Sequence, residues 1–141
     1  MAYDRSIGLI KVGGSSGTSL PMKYIKLDGY NITSNQRMES EAKRDVTGVL
    51  HRTTVAHTAT KIEFTTPTLT NTELNAMMTL FRNNWSSTAE RKLALQYYDM
   101  ETDSYKTGNF YMPDIKYQID HIDTQLNLIY YKDIRIAFIE Y

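Results

Sequence analysis

The stretch that decides the fold runs from Leu69 to Trp85 and reads LTNTELNAMMTLFRNNW. Thr70, followed three residues later by Glu73, forms a capping box, in which each side chain hydrogen-bonds to the other residue's backbone amide. Large apolar side chains recur every three or four residues, so they lie on one face of a helix. They are Leu74, Met77, Met78, Phe81 and Trp85. The stretch therefore predicts a helix over about residues 71–85 with a buried apolar face.

Most of the remaining chain predicts β-strands, which a marginal helix of this length needs as a packing surface. Asp28-Gly29 is a typical hairpin turn pair, and Lys132-Asp133 indicates a bulge or bend in the last strand. The pattern predicts a mainly β fold, either a sandwich or a partly open barrel, with one flanking helix. The predicted strands are 7–12, 22–27, 30–33, 53–66, 92–99, 105–112, 115–122 and 126–141.

Length and composition limit the functional classes. The 141 residues predict a single domain over residues 1–141. With 16 basic and 16 acidic residues, no net charge attracts the chain to nucleic acid or to an anionic membrane, and little keeps identical copies apart. The absence of cysteine excludes disulfides and thiolate metal sites. No apolar run at the N-terminus is long enough for a signal peptide or a membrane-spanning helix.

Residues 34–52, SNQRMESEAKRDVTGVLHR, are charged and only weakly periodic. Nineteen residues are long for a connection in a compact domain, and such segments are usually functional or disordered. Two interpretations stay open: a solvated loop or hairpin tip, and an extended arm that docks on a neighbouring copy of the chain. The candidate inter-subunit contacts are Arg37, Lys43, Arg44, Asp45 and Arg52.

The histidines show no spacing that predicts a metal or catalytic site. His51, His57 and His121 are far apart, and no metal-ligand motif surrounds them. Asp120 stands beside His121, but neighbouring side chains in a strand point to opposite faces, which argues against a proton relay.

Three carboxylates, Asp99, Glu101 and Asp103, cluster at a predicted turn. The turn lacks the glycine and the distal Glu of a calcium loop, so a solvated turn is favoured over a weak cation site. Mixed charge around the tyrosine-rich strands argues against nucleic-acid binding. The sequence predicts no catalytic residue, no metal and no organic cofactor, and so a protein that is not an enzyme.

Several strings in the chain resemble small tail-module proteins of phages and prophages of Gram-positive bacteria. The likeness covers most of the chain after residue 20, without a chemically diagnostic motif. The strings are 96–99 (QYYD), 105–114 (YKTGNFYMPD), 30–45 with Gly48 and Arg52 after it, and 134–141 (IRIAFIEY).

Such proteins are similar to the tail-tube-like family, which includes tube proteins and the ring domain of distal tail proteins. The resemblance implies a β-sandwich with one flanking helix, assembled as a homohexameric ring in the virion after synthesis in the host bacterial cytoplasm. It implies a structural role at the distal end of the tail, as a distal tail or baseplate hub component, with tube, tape-measure and tip or baseplate proteins as partners. It implies no membrane and no sequence-specific nucleic acid as partner. The alternatives are the major tail tube protein and, from a different class, a small carbohydrate-binding module.

Overall fold

The computed structural model describes residues 2–141, apart from the side chains of residues 38–40 and 54–55. It contains eleven strands, a 3-10 turn at Met22–Tyr24 and the α-helix α1 at Asn71–Arg82. The strands are β1 (Ile10–Val12), β2 (Thr18–Ser19), β3 (Lys26–Arg44), β4 (Leu50–Thr65), β5 (Leu69–Thr70), β6 (Trp85–Ser87), β7 (Lys92–Asp99), β8 (Ser104–Tyr111), β9 (Ile119–Asp123), β10 (Leu128–Tyr131) and β11 (Arg135–Glu140).

The strands form two open sheets, which confirms the predicted mainly β fold with one helix. The larger sheet has the order β2-β1-β7-β8-β11-β4-β3, with β6 also paired to β7. The smaller sheet has the order β5-β10-β9. Every pairing recorded between neighbouring strands is antiparallel. Neither sheet closes on itself within the described residues, so the arrangement agrees with a sandwich rather than with a barrel.

The helix begins where the sequence predicts and ends three residues earlier. Both hydrogen bonds of the capping box are present: the Glu73 amide donates to Thr70 Oγ1 at 3.3 Å, and the Thr70 amide donates to Glu73 Oε1 at 3.2 Å. Asn83 caps the C-terminus, and Asn84 Nδ2 donates to the Leu80 carbonyl oxygen at 2.8 Å. The prediction that the helix reaches Trp85 is therefore wrong, because the asparagines satisfy the last carbonyl groups and release the chain into β6.

The apolar face of α1 lies against the core of the sandwich. Met77, Met78 and Phe81 are buried, and Leu74 is partly buried against the same cluster. The Phe81 ring and the Phe138 ring of β11 form a T-shaped pair with a centroid distance of 5.6 Å. Trp85 also packs partly against the core, although from β6 and not from the helix.

We expect Thr70→Ala to lower the free energy of unfolding by about 1 kcal/mol, because it removes the N-cap acceptor and half of the capping box. Thr72→Ala is the matched control, since Thr72 is an exposed residue in the first turn of the same helix. Urea denaturation followed by circular dichroism measures both variants. An equal effect of the two substitutions would show that the cap contributes nothing particular.

Two predictions before the helix are wrong. Residues 22–27 do not form a strand, because the 3-10 turn occupies Met22–Tyr24 and β3 begins only at Lys26. Asp28-Gly29 is not a hairpin turn but lies inside β3, where the register with β4 shifts between Lys26 and Asn31. A Cβ atom on Gly29 would lie 2.3 Å from Thr65 Oγ1, so the glycine permits a close approach of two strands.

Candidate assembly arm and its root

The longest hairpin extends beyond the body of the sandwich. Strand β11 pairs with β4 over Lys61–Thr65, and before Lys61 the recorded pairing of β4 is with β3. We call the resulting two-stranded ribbon, residues 36–59, the arm. Its described side chains from 36 to 57 are all exposed. Residues 50–60 of β4 alone span about 35 Å at the usual strand rise of roughly 3.3 Å per residue.

Asp45 organises the tip of the arm. Its carboxylate accepts hydrogen bonds from the backbone amide of Thr47 at 2.9 Å, from the Thr47 hydroxyl at 2.6 Å and from the Val49 amide at 3.1 Å. It also pairs with His51 Nε2 at 2.9 Å. The bonds from Thr47 and His51 lower the pKa of Asp45 to about 2. Gly48 takes a φ of +89°, a conformation that favours glycine.

The candidate contact residues occupy different parts of the arm. Ala42 pairs with Arg52 and Arg44 pairs with Leu50, so these four side chains share one face of the ribbon. Lys43 lies on the opposite face, where it forms an ion pair with Glu41 at 3.1 Å. Arg37 pairs with Thr58 nearer the body, and Asp45 belongs to the turn itself. The outer arm therefore presents one basic and apolar face and one face of mixed charge.

The arm leaves the body at a bend with an unusual backbone. The register of β3 on β4 shifts between Thr33 and Gln36, and Asn35 within the shift has a φ of +51°. Such a bulge bends a strand and changes its direction. The Asn35 amide donates to Thr60 Oγ1 at 3.1 Å, and the Thr60 amide donates to Glu140 Oε1 at 2.8 Å. The bend is thereby tied to strand β11.

A buried carboxylate, Asp99 at the end of β7, lies under this bend. The Asp99 side chain has no exposed surface and forms an ion pair with Lys106 Nζ of β8 at 2.9 Å. It accepts from Asn35 Nδ2 at 3.1 Å, from Thr102 Oγ1 at 2.9 Å and from the Glu101 amide at 3.1 Å. We call Asn35, Thr60, Asp99 and Lys106 the root cluster.

Hydrogen bonding decides the charge of Asp99. Burial alone would raise its pKa, but bonds from Ser34, Lys106 and Asn35 outweigh burial and hold the pKa of Asp99 well below its usual range. The same ion pair raises the pKa of Lys106. The predicted solvated turn is therefore wrong for Asp99, whereas Glu101 and Asp103 are exposed as expected.

The three histidines lie in three separate places. His51 pairs with Asp45 at the tip of the arm, and His57 Nε2 contacts the Tyr141 carbonyl oxygen at 2.9 Å. His121 Nδ1 lies 2.6 Å from Asp120 Oδ2, so the prediction that these two side chains point apart is wrong. No group of three or more potential ligands among the described residues could hold a metal ion. Within residues 2–141, no helix combines the length and apolar character needed to span a bilayer.

Comparison with known proteins then gives a family and a fold. A family model described as "family of unknown function (DUF6711)" matches residues 6–141. The chain belongs to this family. No curated protein matches the sequence.

This DUF6711 member is similar in structure to a chain of the tail of an empty GTA particle, which was computed with helical refinement and C6 symmetry. The similarity covers 99% of this chain and 95% of that chain, with a TM-score of 0.52 and 13% sequence identity. At this identity the comparison shows a shared fold.

The sequence held one signal for the root cluster that the prediction of a solvated turn did not use. Leu93, Leu95 and Tyr97 alternate on the buried face of β7, and Asp99 has the same parity. A charged residue in register with a buried row indicates a buried carboxylate that needs partners. Its partners Asn35 and Lys106 carry no such signal, because the fold alone brings them to it.

Proposed function

We propose that this DUF6711 member is a structural protein of a bacteriophage-type tail that assembles into a closed ring. The observation that carries the proposal is the shared fold with a chain of a C6-symmetric tail, which extends over nearly the whole of both chains. The exposed arm supports it, because an isolated two-stranded ribbon is at best marginally stable in water. Contact with a second molecule would stabilise such a ribbon.

The arm carries the chemistry of an interface. At its tip, Val46 is fully exposed, at 104% of its reference area, and Val49 and Leu50 are 55% and 44% exposed. On the face defined above, Arg44 and Arg52 flank Leu50, which is the mixture of arginine and apolar residues that contact surfaces favour. We propose that this face docks on a neighbouring copy, with Arg37, Lys43 and Asp45 extending the contact or shaping it.

A ring follows from the type of contact. An arm that binds a different surface on the next copy makes a heterologous contact, which closes if the rotation between copies allows it. The number six is taken from the tail-tube-like resemblance and from the C6 symmetry of the similar tail. The resemblance also supports a position at the distal end of the tail, between tube and baseplate or tip. The protein would then be a virion component and not an enzyme.

A second candidate within the same class is the tail tube protein. The similar tail was computed with helical refinement, which favours a unit that stacks repeatedly. A distal ring stops at one layer, whereas a tube protein continues to add rings.

The carbohydrate-binding alternative gains no support from the tryptophan. Trp85 is partly buried against the core, and the Arg91 guanidinium lies 5.9 Å from its ring centroid. This ring is not an exposed platform on which a sugar can stack.

The experiment is a measurement of mass and shape on the purified full-length chain. We expect light scattering to give six times the 16.3 kDa chain mass, and negative-stain images to show rings with a central opening. Open-ended tubes that lengthen with concentration would support the tube alternative. A monomer at high concentration, even with its tail neighbours present, would contradict the proposal.

The role of the arm is tested by Val46→Glu combined with Leu50→Glu, which places one added carboxylate at the tip and one on the proposed docking face. We expect this variant to stay monomeric, because two added carboxylates would have to be buried in the contact. Leu126→Glu is the control, since Leu126 is 64% exposed on the turn between β9 and β10. Normal rings from the arm variant would exclude the tip from the interface.

A further inference from the structure

We propose that Asp99 is the positioning residue of the arm: together with Asn35 and Lys106, it fixes the direction in which the arm leaves the body. That Asp99 sets this direction is inferred from the fold alone. That the direction matters for ring formation rests on the proposed function.

The arm needs such a residue because its attachment is narrow. Beyond Lys61 the ribbon has no recorded strand partner on the body among the described residues, and near its base His57 Nε2 of β4 contacts the Tyr141 carbonyl oxygen at 2.9 Å. The bend at Asn35 is the corresponding point on β3, where this strand changes direction. A register shift locally disrupts the hydrogen-bond ladder between the strands, so side chains contribute more to the angle at which the strand bends. A small rotation at the bend moves a tip about 35 Å away by many ångströms.

Asp99 provides the restraint from a part of the chain remote in sequence. It stands 64 residues from Asn35 and receives the Asn35 amide group on a carboxylate that is fully buried. Lys106 Nζ contacts the same carboxylate at 2.9 Å and approaches Asn35 Oδ1 at 3.5 Å. The three side chains thus form a closed triangle across β3, β7 and β8.

The hydrogen bonds to the Asp99 carboxylate fix the orientation of their partners as well as stabilising the fold. Charge-assisted hydrogen bonds are shorter and stronger than neutral ones, and two partners on one planar carboxylate restrict its orientation. Burying a charge costs free energy, and an apolar residue would fill the buried position 99 at a lower cost. What the carboxylate adds over an apolar residue is a unique position for Asn35, and with it a unique angle of the bend.

The test is a distance measurement on the arm. The chain has no cysteine, so Val46→Cys and Thr124→Cys introduce the two spin-label sites, one at the tip of the arm and one on the exposed turn between β9 and β10. Labelled protein is diluted into excess unlabelled protein, so that distances within one subunit dominate. Pulsed electron resonance then gives the distribution of tip-to-body distances.

Two variants loosen the root cluster in different ways. Asp99→Asn removes the charge at nearly constant shape. Asn35→Gly removes the side-chain donor, while glycine readily keeps the φ of +51°. Each has a matched control: Asp103→Asn removes an exposed carboxylate from the same turn, and Asn127→Gly replaces an asparagine with a φ of +55° between β9 and β10.

We expect a narrow distribution in the parent and in both controls, and a clearly broader one in Asp99→Asn and Asn35→Gly. Near-ultraviolet circular dichroism checks that each variant is folded. If Asp99→Asn does not fold, Lys106→Met, which keeps the aliphatic stem, replaces it. A parent-like width in either folded variant would overturn the assignment. Because the distance is measured within a subunit, failure of the parent to form rings would contradict the proposed function and leave this result standing.

Discussion

Replacing Phe81 by alanine should lower the free energy of unfolding by about 3–5 kcal/mol, the usual cost of deleting a buried aromatic ring. Phe81 has no exposed surface, and its ring forms a T-shaped pair with the Phe138 ring at a centroid distance of 5.6 Å. The loss combines the transfer free energy of the ring with the cavity that it leaves between helix and sheet. Alanine has the higher helix propensity, so a destabilisation of this size cannot come from the helix itself.

Urea denaturation at constant protein concentration measures the effect, since assembly would make apparent stability depend on concentration. Thr72→Ala serves again as the exposed control on the same helix and should change the stability by no more than about 0.5 kcal/mol. A loss under about 1 kcal/mol for Phe81→Ala would mean that this face of the helix does not support the core.

Helices and strands whose deciding residues lie close together in the chain were predictable from the sequence. The helix start carries a capping box, whose two bonds depend on residues three positions apart. Strand β7 has the predicted bounds, Lys92–Asp99, because its side chains alternate between buried and partly buried without interruption. In both cases the residues that decide the structure are neighbours in the chain.

Elements set by distant contacts were not predictable. The pair Asp28-Gly29 is typical of a turn, but Gly29 instead permits the close approach of Thr65 on the neighbouring strand. No glycine or proline marks the bend at Asn35 in the sequence, and the hydrogen-bond partners of Asn35, Thr60 and Asp99, are 25 and 64 residues away. In the sequence the arm is recognisable only as a long charged segment. When both faces of a ribbon are exposed, apolar and polar side chains need not alternate, so the pattern that identifies strands is missing.

Asp99→Ala should cost about 2–4 kcal/mol of unfolding free energy, because hydrogen bonds to a charged group are each worth roughly 1.5–3 kcal/mol and are not additive. The substitution leaves Asn35 Nδ2, Thr102 Oγ1 and the Glu101 amide without their acceptor. The loss of unfolding free energy is limited at Lys106, because its side chain is 36% exposed and its ammonium group can be solvated instead. Glu101→Ala, at an exposed position of the same turn, should cost much less.

The pH dependence separates loss of the charge from loss of packing. The pKa of Asp99 is lowered in the folded state, so its contribution to stability is complete above the unfolded pKa of about 3.9 and disappears as the pH falls towards the folded value. The stability difference between the parent and Asp99→Asn should therefore be constant from about pH 5 to 8 and shrink below about pH 4. Urea midpoints of both proteins from pH 3 to 8 measure it. A difference that persists unchanged at pH 3 would show that the ionised carboxylate contributes nothing, and that the substitution acts only through shape.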